Sequence, residues 1–190
     1  MKIDALMIQD PITIGSKASI QEAIEVMKVN SIRHLPVVGA GRKLLGFVTL
    51  ADLKQGLIPS MVGDLRLTDL MIKKPITVRA EDDIEIAAQL IYKHKIGGLP
   101  VVKGQRLVGI ITVTDLLGAF INMMGLLSAS SRIDVAIPDR PGVLKRAIQV
   151  INDHGGDIIN IAMTAQRQGK RDYYFRLSPC ETREIQAALE

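Results

Sequence analysis

The spacing of apolar residues predicts helices and strands in a regular order near the start of the chain. Ser19 and Glu22 have the spacing of a helix capping box, and the apolar positions that follow Ser19 fall on one helical face: Ile20, Ala23, Ile24 and Met27. Two β-rich runs, 35–38 and 44–49, flank a Gly39-Ala40-Gly41 turn, which is typical of a hairpin. With a second helix after Asp52, the pattern predicts a β-α-β-β-α unit.

The same unit occurs a second time. The matching segments keep their order and nearly their spacing: residues 6–8 with 70–72, 11–13 with 75–77, 35–38 with 99–102, and the Gly-x-x-Thr-x-x-Asp run 46–52 with 109–115. In the second copy Asp83 takes the helix-cap position, and the last helix is predicted from Asp115 to about Met124. We therefore expect one unit over 1–60 and another over 61–124. Because neither can bury a large core alone, the two should pack against each other.

A different pattern follows a small-residue stretch at 125–131, which is predicted to be a linker. Residues 133–137 alternate as in a half-buried strand, and an amphipathic helix then runs from Pro141-Gly142 to His154-Gly155-Gly156. The remaining pattern predicts two strands and a last helix, over 158–163, 172–177 and about 181–189. The fold class is thus α/β (α+β), with a third β-α-β-β-α unit over 132–190.

Composition excludes several classes of protein. The chain is 47% hydrophobic and 23% charged, enough to bury a core, and no apolar run reaches the roughly 18 residues that cross a bilayer. Cys180 is the only cysteine, so the chain can form neither an intrachain disulfide nor a cysteine zinc cage. The net charge of +4 is spread along the chain and there is no Trp, which argues against nucleic-acid binding. We expect a cytoplasmic protein that does not enter a membrane.

The repeated Thr-x-x-Asp motif has two interpretations. Thr49 with Asp52, and Thr112 with Asp115, can cap the helix that follows each strand, which is the commoner role of such a pair. Alternatively, each strand brings Thr to a phosphate at a helix N-terminus, while the Asp carboxylate accepts hydrogen bonds from both ribose hydroxyls. The two roles are compatible, and the double occurrence favours binding.

The doubled Met-x-x-x-Pro-Ile-Thr, Leu-Pro-Val-Val and Gly-x-x-Thr-x-x-Asp segments resemble a tandem CBS module, the cystathionine-β-synthase-type regulatory pair, over roughly 1–124. The resemblance implies two β-α-β-β-α units packed as a pseudo-twofold pair around adenosyl ligands, with AMP, ADP, ATP, NAD or S-adenosylmethionine as candidates. It assigns phosphate contacts to the Thr residues and ribose contacts to the Asp residues of the repeated motif. We also expect Gly46 and Gly109 to permit close backbone approach there.

The resemblance further implies that each copy contributes to the other's pocket. Ile76-Thr77 and Val101 would line the adenine side of the first pocket, and Ile12-Thr13 and Val37 that of the second, although plain core packing is the commoner role for each apolar residue. Arg33 and His34 would contact phosphate in the first, although such a pair can also be a solvated helix end. The second copy has Gly97-Gly98 there, which predicts a roomier pocket with only Lys95 nearby and weaker binding of phosphorylated ligands.

The tail, with its Asp139-Arg140-Pro141-Gly142 turn after a strand, resembles a ferredoxin-like ACT domain. The combination is similar to AcuB-like acetoin-utilisation proteins. Asp139, Gly142 and Asn160 correspond to ACT effector-site positions, but each also has an ordinary role, as a helix-start, a turn and a strand residue. An ACT domain closes with a fourth strand that is missing before Glu190, so we expect an incomplete domain or an edge that a partner supplies.

Three functions stay open at this stage. A non-catalytic sensor, acting as a homodimer on an unknown regulated enzyme, fits the repeated motif best. A nucleotide-processing enzyme would need a catalytic base or a metal, but His34, His94 and His154 lie far apart and no phosphate loop or catalytic triad is present. We therefore expect no catalytic residues, no metal and no required cofactor. A structural adaptor with empty pockets is the third possibility.

Overall fold

The computed structural model describes residues 1–55 and 65–189, and contacts divide the chain into two compact units, Met1–Leu117 and Gly118–Glu190. This division falls inside a helix, seven residues before the predicted end of the second repeat at 124. The first unit contains the first repeat and the second repeat as far as Leu117. Residues 56–60, where the predicted first repeat ends, and 61–64, where the second begins, lie outside the described part.

The first unit follows the predicted order with additions. Its first repeat contains β1 (Ile8–Gln9), β2 (Ile14–Gly15), α1 (Ile20–Val29), β3 (His34–Val38), β4 (Leu44–Thr49) and α2 (Leu50–Gln55). Its second contains α3 (Leu67–Leu70), α4 (Ile84–His94), β5 (Gly98–Lys103), β6 (Arg106–Thr112) and α5 (Val113–Met123). The hairpins are confirmed. The predicted first strand of the second repeat is wrong, because that segment forms only isolated bridges, from Ile72 to Phe47 and from Val78 to Val101.

The predicted helix starts are confirmed in part. Ser19 Oγ accepts a 3.1 Å hydrogen bond from the Glu22 backbone N–H, and the Glu22 carboxylate accepts one of 2.7 Å from the Ser19 backbone, so the capping box of α1 is confirmed. Asp83 stands at the N-cap of α4 but makes no capping hydrogen bond, because its carboxylate pairs with Lys2 at 2.9 Å. Helices α2 and α5 begin directly after their strands, so Asp52 and Asp115 lie in their first turns.

The two repeats exchange their N-terminal segments. β1 pairs antiparallel with β6 of the second repeat, with Ile8 opposite Ile110, while Ile72 bridges to Phe47 in β4 of the first. The sheets are therefore ordered β2-β3-β4 and β1-β6-β5. Each repeat thus depends on backbone hydrogen bonds from the other, which goes beyond the predicted packing of the two units against each other.

The hydrophobic cores follow the same exchange. Ile3 is fully buried in the second repeat's core with Val78 and Ala87, and its equivalent Leu67 is fully buried in the first repeat's core with Leu35. A residue near the start of each repeat is therefore a core residue of its neighbour.

Gly46 and Gly109 serve this crossing. A Cβ at Gly46 would lie 2.5 Å from Met71 Sδ and 3.1 Å from the Ile72 carbonyl oxygen, and one at Gly109 would meet Met7 and Ile8 in the same way. The close approach predicted at these glycines is real, but it is made by the exchanged segment of the other repeat. These contacts also explain why Met7 and Met71 occur at equivalent positions of the two repeats, since each packs against the glycine of the other repeat.

Replacing Gly46 by Ala is therefore expected to destabilise the first unit by about 1–3 kcal/mol, since the added methyl group overpacks a backbone contact. Gly15→Ala is the matched control, because a Cβ there meets nothing within 4 Å. Urea denaturation of both variants measures the difference. Equal stability losses would show that the Met71 contact does not require glycine.

The second unit forms an antiparallel sheet ordered β7-β9-β8 with two helices. Its elements are β7 (Ser131–Pro138), α6 (Val143–Asp153), β8 (Ile158–Met163), β9 (Lys170–Leu177) and α7 (Arg183–Leu189). This order confirms the β-α-β-β-α prediction, although the predicted linker already enters β7 at Ser131. Ile133, Ile151 and Phe175 are at the centre of its core.

Candidate functional site

The first Thr–Asp pair forms a compact hydrogen-bonded turn where β4 ends and α2 begins. Asp52 Oδ2 accepts from the Thr49 hydroxyl at 2.7 Å and from the Thr49 backbone N–H at 3.0 Å. The Asp52 backbone N–H donates in turn to Thr49 Oγ1 at 3.3 Å. The capping interpretation is thus confirmed, and it holds the Asp52 carboxylate in one orientation.

The second pair repeats the two hydrogen bonds to the carboxylate between β6 and α5, but no bond from the Asp115 backbone N–H to Thr112 Oγ1 is found among the described residues. Asp115 Oδ2 accepts from the Thr112 hydroxyl at 2.7 Å and from the Thr112 backbone N–H at 2.8 Å. Both carboxylates are half-buried, and within residues 1–55 and 65–189 no hydrogen bond to the Oδ1 atom of either is found. Each fixed carboxylate can therefore accept hydroxyl donors from a ligand through its second oxygen.

The structure brings Arg33 and His34 to the first pair. His34 lies opposite Thr49 in the β3–β4 ladder, and the Arg33 carbonyl oxygen accepts a 3.0 Å hydrogen bond from the Leu50 backbone N–H. Arg33 is exposed, and this backbone contact places it next to the first residue of α2, two residues before Asp52. Gly97 and Gly98 have the same relation to Thr112 and Val113 in the second repeat.

The His34 ring, however, is directed at the second repeat. It stacks on Phe47 with ring centroids 5.9 Å apart, and a Cβ at Gly97 would lie 2.5 Å from its Nε2 atom. The space beside Gly97-Gly98, which was expected to make the second pocket roomier, is thus filled by this ring. Lys95, expected near the second pocket, has its ammonium group 4.3 Å from the centre of the Tyr92 ring.

His34 is also the histidine whose titration is altered by this packing. Burial lowers the pKa of the imidazole below its usual 6.5, and the Arg33 charge lowers it further, whereas the Asp52 carboxylate opposes both. The neutral ring is therefore favoured while it packs between the repeats.

Stability of the folded chain is expected to decrease as the pH falls through about 6.5 toward the lower pKa of folded His34. The unfolded state takes up the proton first, so a falling pH favours unfolding within this window. Above the window His34 is neutral in both states, and the protein loses no stability through this residue. Urea midpoints measured at about pH 7.5 and 5.5 should move further for the wild type than for His34→Gln. Identical shifts in the two proteins would contradict this role of His34.

Of the expected adenine-side residues, the threonines and isoleucines keep accessible surface, and Ile12 is 41% exposed. Thr13 and Thr77 are half-buried, next to the short contacts Ile14–Val37 and Val78–Val101. Val37 and Val101 have no exposed surface and belong to the two cores. Their side chains are therefore placed in the alternative role of core residues.

The expected effector positions of the second unit are engaged elsewhere. The Asp139 carboxylate accepts a 2.8 Å hydrogen bond from Arg171, while the Asn160 amide donates to the Met123 carbonyl oxygen at 2.8 Å. Gly142, at φ +85°, is the residue before α6 and needs a left-handed conformation. No hydrogen bond among the described residues links Asn160 to Asp139.

Neither a metal-binding cluster nor a membrane-spanning helix is found among the described residues. Residues 1–55 and 65–189 contain no group of three or more His, Cys, Asp or Glu side chains that could hold a metal ion. In the same residues, no helix is long and apolar enough to cross a membrane.

The CBS domain family model matches residues 3–58 and 64–122, so the chain belongs to the CBS-domain family. Solved structures agree. The CBS domain pair of protein MJ0100, in complex with 5′-methylthioadenosine and S-adenosyl-L-methionine, is 29% identical with a TM-score of 0.60, covering 64% of this chain and 97% of that one. A Vibrio cholerae protein assigned to acetoin utilisation (AcuB) is 33% identical with a TM-score of 0.60, covering 69% and 98%.

Curated relatives include full-length enzymes. A homoserine O-acetyltransferase of Methanocorpusculum labreanum is 40% identical over 54% of this chain and 20% of its own length. An inosine-5′-monophosphate dehydrogenase of Methanocaldococcus jannaschii is 35% identical over 61% and 23%. The chain thus spans about a fifth of these relatives, and the matches lie in their CBS regions. CBS domains are regulatory modules in general.

Proposed function

We propose that this protein is a non-catalytic regulatory sensor that binds an adenosyl ligand at the Thr–Asp pairs of its first unit. The observation that carries the proposal is the duplicated, pre-oriented carboxylate. Asp52 and Asp115 are each held by a threonine through Oδ2, and Oδ1 has no hydrogen-bond partner among the described residues. A ribose offers two neighbouring hydroxyl donors, which match a carboxylate acceptor of this kind.

The ligands of similar CBS pairs support this choice. The MJ0100 pair was solved with 5′-methylthioadenosine and S-adenosyl-L-methionine, and a CBSX2 structure, 27% identical with a TM-score of 0.57, was solved with AMP. These three molecules share an adenosine moiety and differ at the 5′ position. AMP, ADP, ATP, NAD and S-adenosylmethionine are accordingly the candidates for this chain.

The two sites are proposed to differ in their preference for phosphate. Arg33 is exposed beside Asp52, whereas Gly97 supplies no cation beside Asp115. Phosphorylated ligands should therefore favour the first site, and uncharged 5′ groups the second. Thr13 and Thr77 are retained as further hydroxyl contacts.

The exchanged segments give binding a route to regulation. Because each repeat completes the core of the other, a ligand that prefers one arrangement of the two repeats shifts the whole unit. A ligand with equal affinity for both arrangements would shift nothing. We propose that the sensor acts in the cytoplasm as a homodimer on a separate enzyme.

The second unit is proposed to be an ACT-type domain that serves as a dimer contact. Asp139 and Asn160 already have protein partners, which favours this role over an effector site at Asp139, Gly142 and Asn160. An amino-acid titration followed by chemical shifts of these residues would distinguish the two roles.

A thermal-unfolding panel tests the sensor proposal. A ligand at one hundred times its Kd adds about 2.7 kcal/mol to stability, which raises the melting temperature measurably. We expect a shift with at least one of AMP, ATP, NAD or S-adenosylmethionine at millimolar concentration, and none with the matching guanosine nucleotides. Absence of a shift with every adenosyl compound would reject the sensor in favour of an adaptor with empty pockets.

A further inference from the structure

The outer edge of β7, the side that does not pair with β9, has no role in the candidate binding site. β7 pairs with β9 along its whole length, from Ser131 opposite Leu177 to Pro138 opposite Lys170. On its other side, no strand among the described residues pairs with it. An unpaired edge offers a row of backbone donors and acceptors to another strand.

The register shows which residues face outward. The Asp139 N–H donates to the Gly169 carbonyl oxygen at 3.0 Å, which continues the β7–β9 ladder by one residue. Backbone groups alternate in direction along a strand, so odd-numbered residues bond to β9 and the N–H and C=O groups of Arg132, Asp134 and Ala136 point outward. Pro138, also even-numbered, fits because its missing N–H would face away from β9.

We propose that this edge pairs antiparallel with the β7 edge of a second copy of the chain, on a twofold axis through Ile133. Only even-numbered residues can bond across the axis, which limits the possible registers to a few. An axis at Arg132 or Asp134 would place like charges opposite each other, and one at Val135 would place Arg132 opposite Pro138. The axis at Ile133 alone places Arg132 opposite the partner's Asp134, and the reverse, so the charges are self-complementary.

The surroundings of the edge fit a second strand. Arg132 and Asp134 are about half-exposed on the face away from the helices, where they form a bidentate pair of 2.6 and 2.7 Å. A guanidinium has five donors and a carboxylate about four acceptor positions, so both can also contact a partner. A groove lined by Asp134, Val135, Ala136, Gln186 and Leu189 runs along the edge, with space for the side chains of an added strand.

Charge reversal tests the pairing in the full chain. Arg132→Asp places aspartates opposite each other, and Asp134→Arg places arginines opposite each other. Native mass spectrometry should therefore show half of the wild-type assembly mass for each variant alone. An equimolar mixture should restore the wild-type mass, because the two variants complement each other across the axis. Asp153→Arg, on α6, makes the same charge change away from β7 and should leave the mass unchanged.

The mixture distinguishes pairing between copies from the Arg132–Asp134 ion pair within one strand. That ion pair is broken in both variants and stays broken when they are mixed. The proposal would be overturned if the single variants kept the wild-type mass, or if the mixture did not recover it. It would also be overturned if the wild-type protein were found bound to a different polypeptide. If a variant does not fold, wild-type amide exchange decides. Slow exchange at the Arg132 and Asp134 N–H groups that becomes fast on dilution supports pairing between copies, and fast exchange at all concentrations contradicts it.

Discussion

The double variant Asp52→Asn, Asp115→Asn is expected to lose adenosyl-ligand binding, with each site weakened about 10- to 100-fold. A hydrogen bond to a charged acceptor contributes about 1.5–3 kcal/mol, and an amide retains the shape of the carboxylate without its charge. The Asn side-chain oxygen can still accept the hydroxyl and N–H hydrogen bonds of Thr49 and Thr112, so these turns should persist. Titration calorimetry with the adenosyl compound that gives the largest thermal shift measures the loss.

Asp82→Asn provides the matched control for this prediction. Asp82 accepts a 2.8 Å hydrogen bond from the Arg79 backbone N–H three residues earlier, as Asp52 does from Thr49, but it lies outside the repeated motif. Its affinity should equal that of the wild type. A double variant that binds within about twofold of the wild type would show that the carboxylates do not hold the ligand.

Replacing Ile3 by Ala is expected to destabilise the first unit by about 2–5 kcal/mol, a large effect for a residue so near the start of the chain. Ile3 is fully buried in the core of the second repeat, so its loss leaves a cavity there. Leu67→Ala, at the equivalent position, should have a similar effect through the first repeat. Urea denaturation followed by circular dichroism measures both.

Ile86→Ala makes the same change as Ile3→Ala at a side chain that is 43% exposed on α4. Its effect should remain near 0.5 kcal/mol, as for most surface substitutions. If Ile3→Ala is no more destabilising than Ile86→Ala, the N-terminal segment is not part of the second repeat's core.

Local signals predicted most of the secondary structure. The Ser19–Glu22 box predicted the start of α1, and the alternation of 133–137 predicted β7, because in both cases the pattern depends on residues close together in sequence. The exchange of Ile3 and Leu67 could not be predicted in this way. It depends on the partner of each segment, and periodicity is the same whether a segment packs on its own repeat or on the other.

The candidate site was predicted in part. The repetition of Thr49–Asp52 at Thr112–Asp115 located both carboxylates, and in the structure each is held by its threonine, with a capping hydrogen bond to Thr49 in the first pair. The orientation of the His34 ring was missed, although the sequence contains a signal for it: one repeat has Arg-His where the other has Gly-Gly. Residues related by a pseudo-twofold axis can meet at that axis, so a large side chain in one copy can require a small one in the other.

A crystal structure of the full chain with an adenosyl ligand would show directly whether the Asp52 and Asp115 carboxylates bind its ribose. We expect ribose hydroxyls within about 2.5–3.0 Å of the carboxylate oxygens of Asp52 or Asp115, with any 5′-phosphate beside Arg33. Ligand density away from both carboxylates, or vacant Thr–Asp pairs at saturating ligand, would contradict it.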